Sequence, residues 1–275
     1  MPTGYGANVD ETRAESWAHL HELLFAGSWH EGLQRHRSDF AFRGEASRDA
    51  SLATSLQRLG GDFADVEAHL LRNFRKYARA TDVPEDSQWH WLAVAKHHGL
   101  PTRMLDWTYS PYVGLHFATG FRRRFDVDGA IWMVDFVKTN RLLPEALREA
   151  LEREGMNTLS AELLGEAAPT LADFDRIGDD FVVFFEPPAL DQRIVNQYAL
   201  FSLMPDPHAR LDDWLERHSD LARRIILPAE LKWEVRDKLD QANITERVLF
   251  PGLDGLATWL KRYFSPRPPS SEGRR

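Results

Sequence analysis

The chain has no cysteine in 275 residues. That excludes disulfides and thiolate metal cages, and it fits a reducing compartment, so the expected location is cytoplasmic. No run approaches the ~20 apolar residues that a membrane helix needs. The opening MPTGYGANVDETRAESW holds no apolar signal core, so no membrane partner and no export are expected. Positive charge is not in surplus either: the formal net charge is −8. Such a field repels nucleic acid and leaves only a local basic patch as a route to one. The nucleotide signatures GxGxxG and GxxxxGK(S/T), the zinc motif HExxH and the GxSxG nucleophile elbow are all absent, as is any internal repeat.

What remains is an ordinary globular composition, 43% hydrophobic and 28% charged, enough for one domain with a sizeable core or two small ones. Glu11 to Phe25 places Trp17, Leu20, Leu23 and Leu24 at helical spacing. Asp62 to Tyr77 predicts a helix capped by Asp62, with Val66, Leu70, Phe74 and Tyr77 on one stripe. Its Arg72, Arg75, Lys76 and Arg79 fall off that stripe and read as a solvated face rather than a nucleic-acid patch. Strands are expected at Phe40–Arg43, Ile131–Phe136, Phe181–Phe185, Leu200–Leu203, Arg223–Leu227 and Val248–Phe250, and helices at 141–154, 230–238 and 253–264. Helices followed by several strands, without a βαβ rhythm, indicate an α+β fold: a single domain with a mostly antiparallel sheet and surrounding helices. A helical extension is expected over 1–36, the domain over 37–264, and a disordered tail, free of apolar residues, over 265–275.

One stretch concentrates the polar chemistry. Ala95 to Leu115 reads AKHHGLPTRMLDWTYSPYVGL. Gly99 and Pro101 end a helix, and Ser110-Pro111 caps and opens the next. Between them, Gly99 to Tyr109 is expected to be a loop carrying Thr102, Arg103, Asp106 and Trp107. Such a loop between two capped helices suits a site; the bland alternative is an Arg103–Asp106 pair with Trp107 in the core. Arg43 at a strand end, followed by Gly44, suits an anion-binding position or, equally, an internal ion pair. His97 and His98 point about 100° apart on a helix end and cannot easily share one metal ion, so no metal site is expected.

The block KHHGLPTRMLDWTYSPYVGLHFA, together with FAFRGE (residues 40–45), resembles the FRG domain family, named for a Phe-Arg-Gly motif. ITERVLFPGLDGLATWL (residues 244–260) is similar to that family's closing segment. The resemblance names a domain and leaves its activity open. A shorter likeness links FAFRGE and TERVLFPG to the Tyr-Arg-Gly strand and the Glu-x-x-Leu-Phe/Leu-Pro segment of arginine-class ADP-ribosyltransferases. It implies an ADP-ribosyltransferase-like fold and NAD as substrate, with ADP-ribose passing to a protein or nucleic-acid acceptor, or to water. Arg43, Gly44, Thr102, Arg103, Asp106, Trp107, Gln197 and Ser202 would hold the nucleotide. Glu246, opening a late strand, would stabilise the oxocarbenium-like charge, and His97 and His98 would activate the acceptor. ALFSLM departs from the usual Ser-Thr-Ser strand at Ser202. The alternative is a non-catalytic nucleotide- or nucleic-acid-binding module in which Arg43 and Arg103 clasp phosphate and Trp107 stacks on a base. A purely structural interaction domain leaves the polar blocks unexplained.

Overall fold

The computed structural model describes residues 9–78, 86–189 and 191–267. Residues 1–8, Arg79 and the tail from 268 onward, on which expectations were placed above, lie outside the described residues.

Among the described residues the strands are β1 (Asp10–Arg13), β2 (Trp29–His30), β3 (Arg35–His36), β4 (Phe40–Glu45), β5 (Leu105–Thr108), β6 (Gly129–Asp135), β7 (Leu159–Ser160), β8 (Val183–Glu186), β9 (Ala199–Leu203) and β10 (Ala222–Leu227). Apart from the small β2–β3 hairpin they form one sheet in the order β1-β10-β6-β4-β5-β9-β8-β7. The outermost pairs, β1 with β10 and β7 with β8, are parallel, and the inner pairs are antiparallel. The expected α+β class, with a mostly antiparallel sheet and helices packed outside it, is what the chain forms. No helix among the described residues is long and apolar enough to cross a membrane.

Strand alternation sorts the core into layers. Phe40 and Phe42 of β4 face one side with Ile131 and Met133 of β6. There they meet Leu20 and Leu24, Leu115 and Ala118, and Val235 and Leu239 from the helices Trp17–Phe25, Pro111–Ala118 and Lys232–Gln241. Ala41 points to the opposite face with Trp132, Leu105, Trp107 and Leu200, covered by Trp214 of the helix Leu211–Arg217. Because Phe42 pairs with Thr108 and Asp106 with Phe201, the Phe201–Leu203 side of β9 shares the Phe42 face. It is covered there by the helices Gln88–His97, Ala161–Ala167 and Leu171–Ile177.

Several expectations need correction. The stretch taken for a loop contains β5, a central strand that joins the two halves of the sheet. Leu105 and Trp107 are buried and Asp106 exposed, so the period-2 pattern was present under its polar residues. The strand expected at Val248–Phe250 is the helical turn Glu246–Leu249, and the burial of Glu246 and Leu249, three apart, is the helical spacing. The helix expected from Glu11 starts at Trp17, where Ser16 caps it by accepting from the His19 N–H, and β1 precedes it. The helix Phe63–Tyr77 makes no side-chain cap bond at Asp62 and is rotated from the expected stripe: it buries Glu67 and Leu71 and leaves Tyr77 exposed. The buried carboxylate of Glu67 decides that rotation, because it pairs with Arg103.

Candidate functional site

Beyond the single bridge Phe42–Thr108, β4 and β5 part. Each residue of the Phe42-Arg43-Gly44 triplet handles one consequence of that parting. Phe42 packs in the core beneath Gly114. Arg43, on the other face, donates from Nη1 to the Asp106 carbonyl at 2.8 Å and from Nε to Glu45 at 2.8 Å. Its guanidinium thus replaces the ladder bond that the parting strands cannot make to that carbonyl. Gly44 lies against the backbone of the helix Pro111–Ala118, so close that a Cβ would fall 1.9 Å from the Gly114 oxygen.

The helix Gln88–His97 ends beside this parting, with Gly99 at φ +85° turning the chain away as its sequence predicts. Lys96 Nζ donates to Asp106 Oδ2 at 2.6 Å, so Arg43 and Lys96 both address Asp106, one at its carbonyl and one at its carboxylate. His97 Nε2 donates to Asp191 Oδ2 at 2.7 Å, and Asp191 also caps the helix Gln192–Gln197 through the Ile194 N–H. Burial pushes the Asp191 carboxyl up, but the Ile194 N–H, the His97 ring and the Arg193 N–H together outweigh it and hold the group below its ordinary value. The exposed His98 ring meets His97 edge-on, with centroids 5.3 Å apart. Among the described residues no group of three or more His, Asp or Glu side chains is placed to hold a metal ion.

Residues 38–126 match the family model of the FRG domain. The chain carries an FRG domain. The match takes in FAFRGE and the AKHHGLPTRMLDWTYSPYVGL stretch and stops short of the block at 244–260. No curated protein and no solved structure matches the chain. In the matched FRG segment the triplet and the longer block are one construction, joined at Arg43–Asp106 and at Gly44–Gly114.

Other residues singled out in the FRG-domain chain are held in its interior. Arg103 is buried and does not pair with Asp106: its guanidinium is shared among Glu67, Asp175 and the Pro205 carbonyl. It ties the helices Phe63–Tyr77 and Leu171–Ile177 to the segment after β9 and is not free to clasp a phosphate. Trp107 is buried and donates from Nε1 to Ser202 Oγ at 2.8 Å, so the indole has no open face for a base and Ser202 spends its oxygen on it. Thr102 is buried and exchanges hydrogen bonds with Ser55 and Leu56. Gln197 accepts from Thr108 at its carbonyl and donates from its side chain to the Leu249 carbonyl.

Glu246 does not converge on Arg43. It pairs with Arg236 and Arg262, each at 2.7 Å, and Arg236 donates in turn to His116 Nδ1 at 3.0 Å. His116 belongs to the helix that covers the Phe42 face, whereas Arg43 lies on the opposite face. Burial first, and then the Arg236 charge, hold the His116 imidazole far below its usual range, at about 3, so it stays neutral and accepts. Sequence reasoning reached His97 and missed its partner Asp191, which left a capping signal ahead of Gln192 but nothing to connect it with a residue 94 positions earlier. It also passed over Lys96, although Lys96 adjoins the histidines.

These placements give Asp106 a small role in stability. Its carboxylate is 59% exposed and meets only Lys96. Asp106→Ala should cost ~1–2 kcal/mol by urea unfolding, somewhat more than an exposed pair, because Lys96 is only 11% exposed and loses this counter-charge. A loss of ~3 kcal/mol or more would mean that the carboxylate, and not only the backbone carbonyl, holds β4 to β5.

Proposed function

We propose that this FRG-domain chain is an enzyme acting on a nucleotide, NAD in the first instance, with His97 as its proton-transfer group. The observation that carries the reading is the His97–Asp191 pair at 2.7 Å. An ionised carboxylate on Nε2–H fixes the imidazole and leaves Nδ1 as the base, the arrangement proton transfer near neutral pH asks for. Beside it, Lys96 holds the Asp106 carboxylate on the Phe42 face, whereas Arg43 reaches the Asp106 carbonyl from the other face of the sheet. Lys96 is 11% and Asp106 59% exposed, so the pair opens to solvent on the Asp106 side, where a pyrophosphate can take the place of that carboxylate and keep the ammonium paired. The likeness of FAFRGE to a transferase strand supports NAD as the nucleotide. His97 would then take a proton from the acceptor, a side chain, a nucleic-acid group or water, as nicotinamide leaves. Glu246 has no part in this site.

The test is incubation with NAD and chromatographic measurement of released nicotinamide. His97→Asn and Asp191→Asn should each lower turnover by ~10²–10⁴, with NAD affinity little changed. Lys96→Ala should raise KM while kcat holds. A wild-type protein that binds NAD and releases no nicotinamide would establish the binding module, which has no need of the dyad. A protein that neither binds nor consumes NAD would remove NAD from the reading.

A further inference from the structure

The helix Leu253–Tyr263 is built the wrong way round for a surface helix. Its inward side carries Gly255, the half-buried Trp259 and Arg262: Gly255 touches backbone, where a Cβ would fall 1.8 Å from the Phe250 oxygen, and Arg262 is clamped by Asp240 and Glu246. At about 100° per residue, the opposite side carries Leu253, Leu256, Leu260, Tyr263 and Phe264. These are exposed, Leu253 by 82% and Phe264 by 75%. Their spacing of three, four and three from 253 to 263 is the a/d spacing of a helix–helix seam. Arg122 donates to the Pro266 carbonyl. That contact sets the turn bearing Phe121, itself 69% exposed, beside the end of the same stripe. An apolar stripe of this extent on a helix locked in place marks an interface.

We propose that this face pairs with the same face of a second copy of the chain, the two helices running antiparallel about a two-fold axis near residue 258. Charge placement selects the occupant and the direction. Asp254 lies in the first turn and Lys261 in the last, on the same flank of the stripe, and among the described residues neither has an ion-pair partner within the chain. Antiparallel pairing brings Asp254 to the partner's Lys261 twice and sets the helix dipoles head to tail. Parallel pairing would set this flank against the opposite flank of the partner, where neither charge finds the other. A seam of 11 residues is short beside the ~800 Å² per partner of a standard interface, so association belongs in the micromolar range and Phe121 adds needed area.

The test is light scattering or sedimentation of the whole chain from about 1 to about 200 μM. The wild type should pass from monomer to dimer. Leu260→Glu, within the seam and 39% exposed in the monomer, should weaken dimerisation at least ~30-fold, and Leu253→Glu, at a side chain 82% exposed, should weaken it while leaving the thermal transition of the monomer unchanged. Lys261→Asp should weaken it about fivefold, and Lys261→Asp combined with Asp254→Lys should restore it. A chain that stays monomeric at every concentration overturns the proposal. So does a dimer indifferent to Leu260→Glu, or one that the double exchange fails to restore.

Discussion

Gly44→Ala should cost the domain ~3 kcal/mol or more, at the upper end of what overpacking does. The added methyl would lie 1.9 Å from the Gly114 oxygen and 2.6 Å from the Ala118 nitrogen, both backbone atoms of one helix. No rotamer can yield there; the whole helix must move off β4. That helix cannot move freely, because Gly114 rests on the Phe42 side chain and Leu115 and Ala118 fill the core on the same side. In a chain of this size such a loss lowers the melting temperature by roughly 6–12 °C. Gly32→Ala is the control: a Cβ there meets only the His30 ring, at 3.4 Å, and should change little. Stability of Gly44→Ala within ~1 kcal/mol of wild type would mean that the contact with the Pro111–Ala118 helix is not what requires glycine in the triplet.

The elements legible in the sequence were those whose punctuation and periodicity agreed. Ser110-Pro111 opened a helix, with Ser110 accepting from the Val113 N–H, and Gly99 closed one. The apolar runs that became β4, β6, β8, β9 and β10 had enough β-branched and aromatic residues to stand out. β5 did not, because four residues with an aspartate among them look like loop until Thr108 finds Phe42 and Asp106 finds Phe201. β1 was hidden for the same reason: DETR is polar, and it is a strand only because β10 offers it an edge.

The candidate site was legible in part, and the cause is general. A charged residue within an apolar context serves either a ligand or a buried partner, and local sequence looks the same for both. Arg103 proved to belong to Glu67 and Asp175, and Trp107 to Ser202, partners 36 to 95 positions away. His97, itself 9% exposed, meets Asp191, whose carboxylate is 47% exposed, and this pair rather than Arg103 or Trp107 carries the proposed proton transfer. The triplet of the FRG domain itself joins strand to strand and strand to helix. Its three residues are accounted for in this chain by assembly.

The buried charge network at the other end of the chain carries the remaining large effect. Glu246→Ala should destabilise the fold by ~3–5 kcal/mol, the cost of removing one partner from a buried pair. Arg236 is 1% exposed and its neighbours are a neutral His116 and Glu246, so without the carboxylate it is left with no counter-charge in contact. Arg262 would keep Asp240. The same carboxylate sets an acid limit on stability. Burial pushes its pKa up, but the Arg262 hydrogen bonds and the Arg236 charge prevail and bring it from 4.5 down to about 2. A group whose folded pKa is depressed contributes its stability above the unfolded value and loses it as pH falls toward the folded one. Wild-type stability should therefore drop between pH 4.5 and about 2, and Glu246→Gln should start lower and show a shallower fall over that window. Urea unfolding at pH 7 and across the acid range measures both. If Glu246→Gln proved as stable as wild type yet lost nicotinamide release, the carboxylate would be acting on substrate and the site would have to be moved to it. Loss of stability and activity in proportion fits the network as drawn, in which Glu246 holds the closing helix to the body.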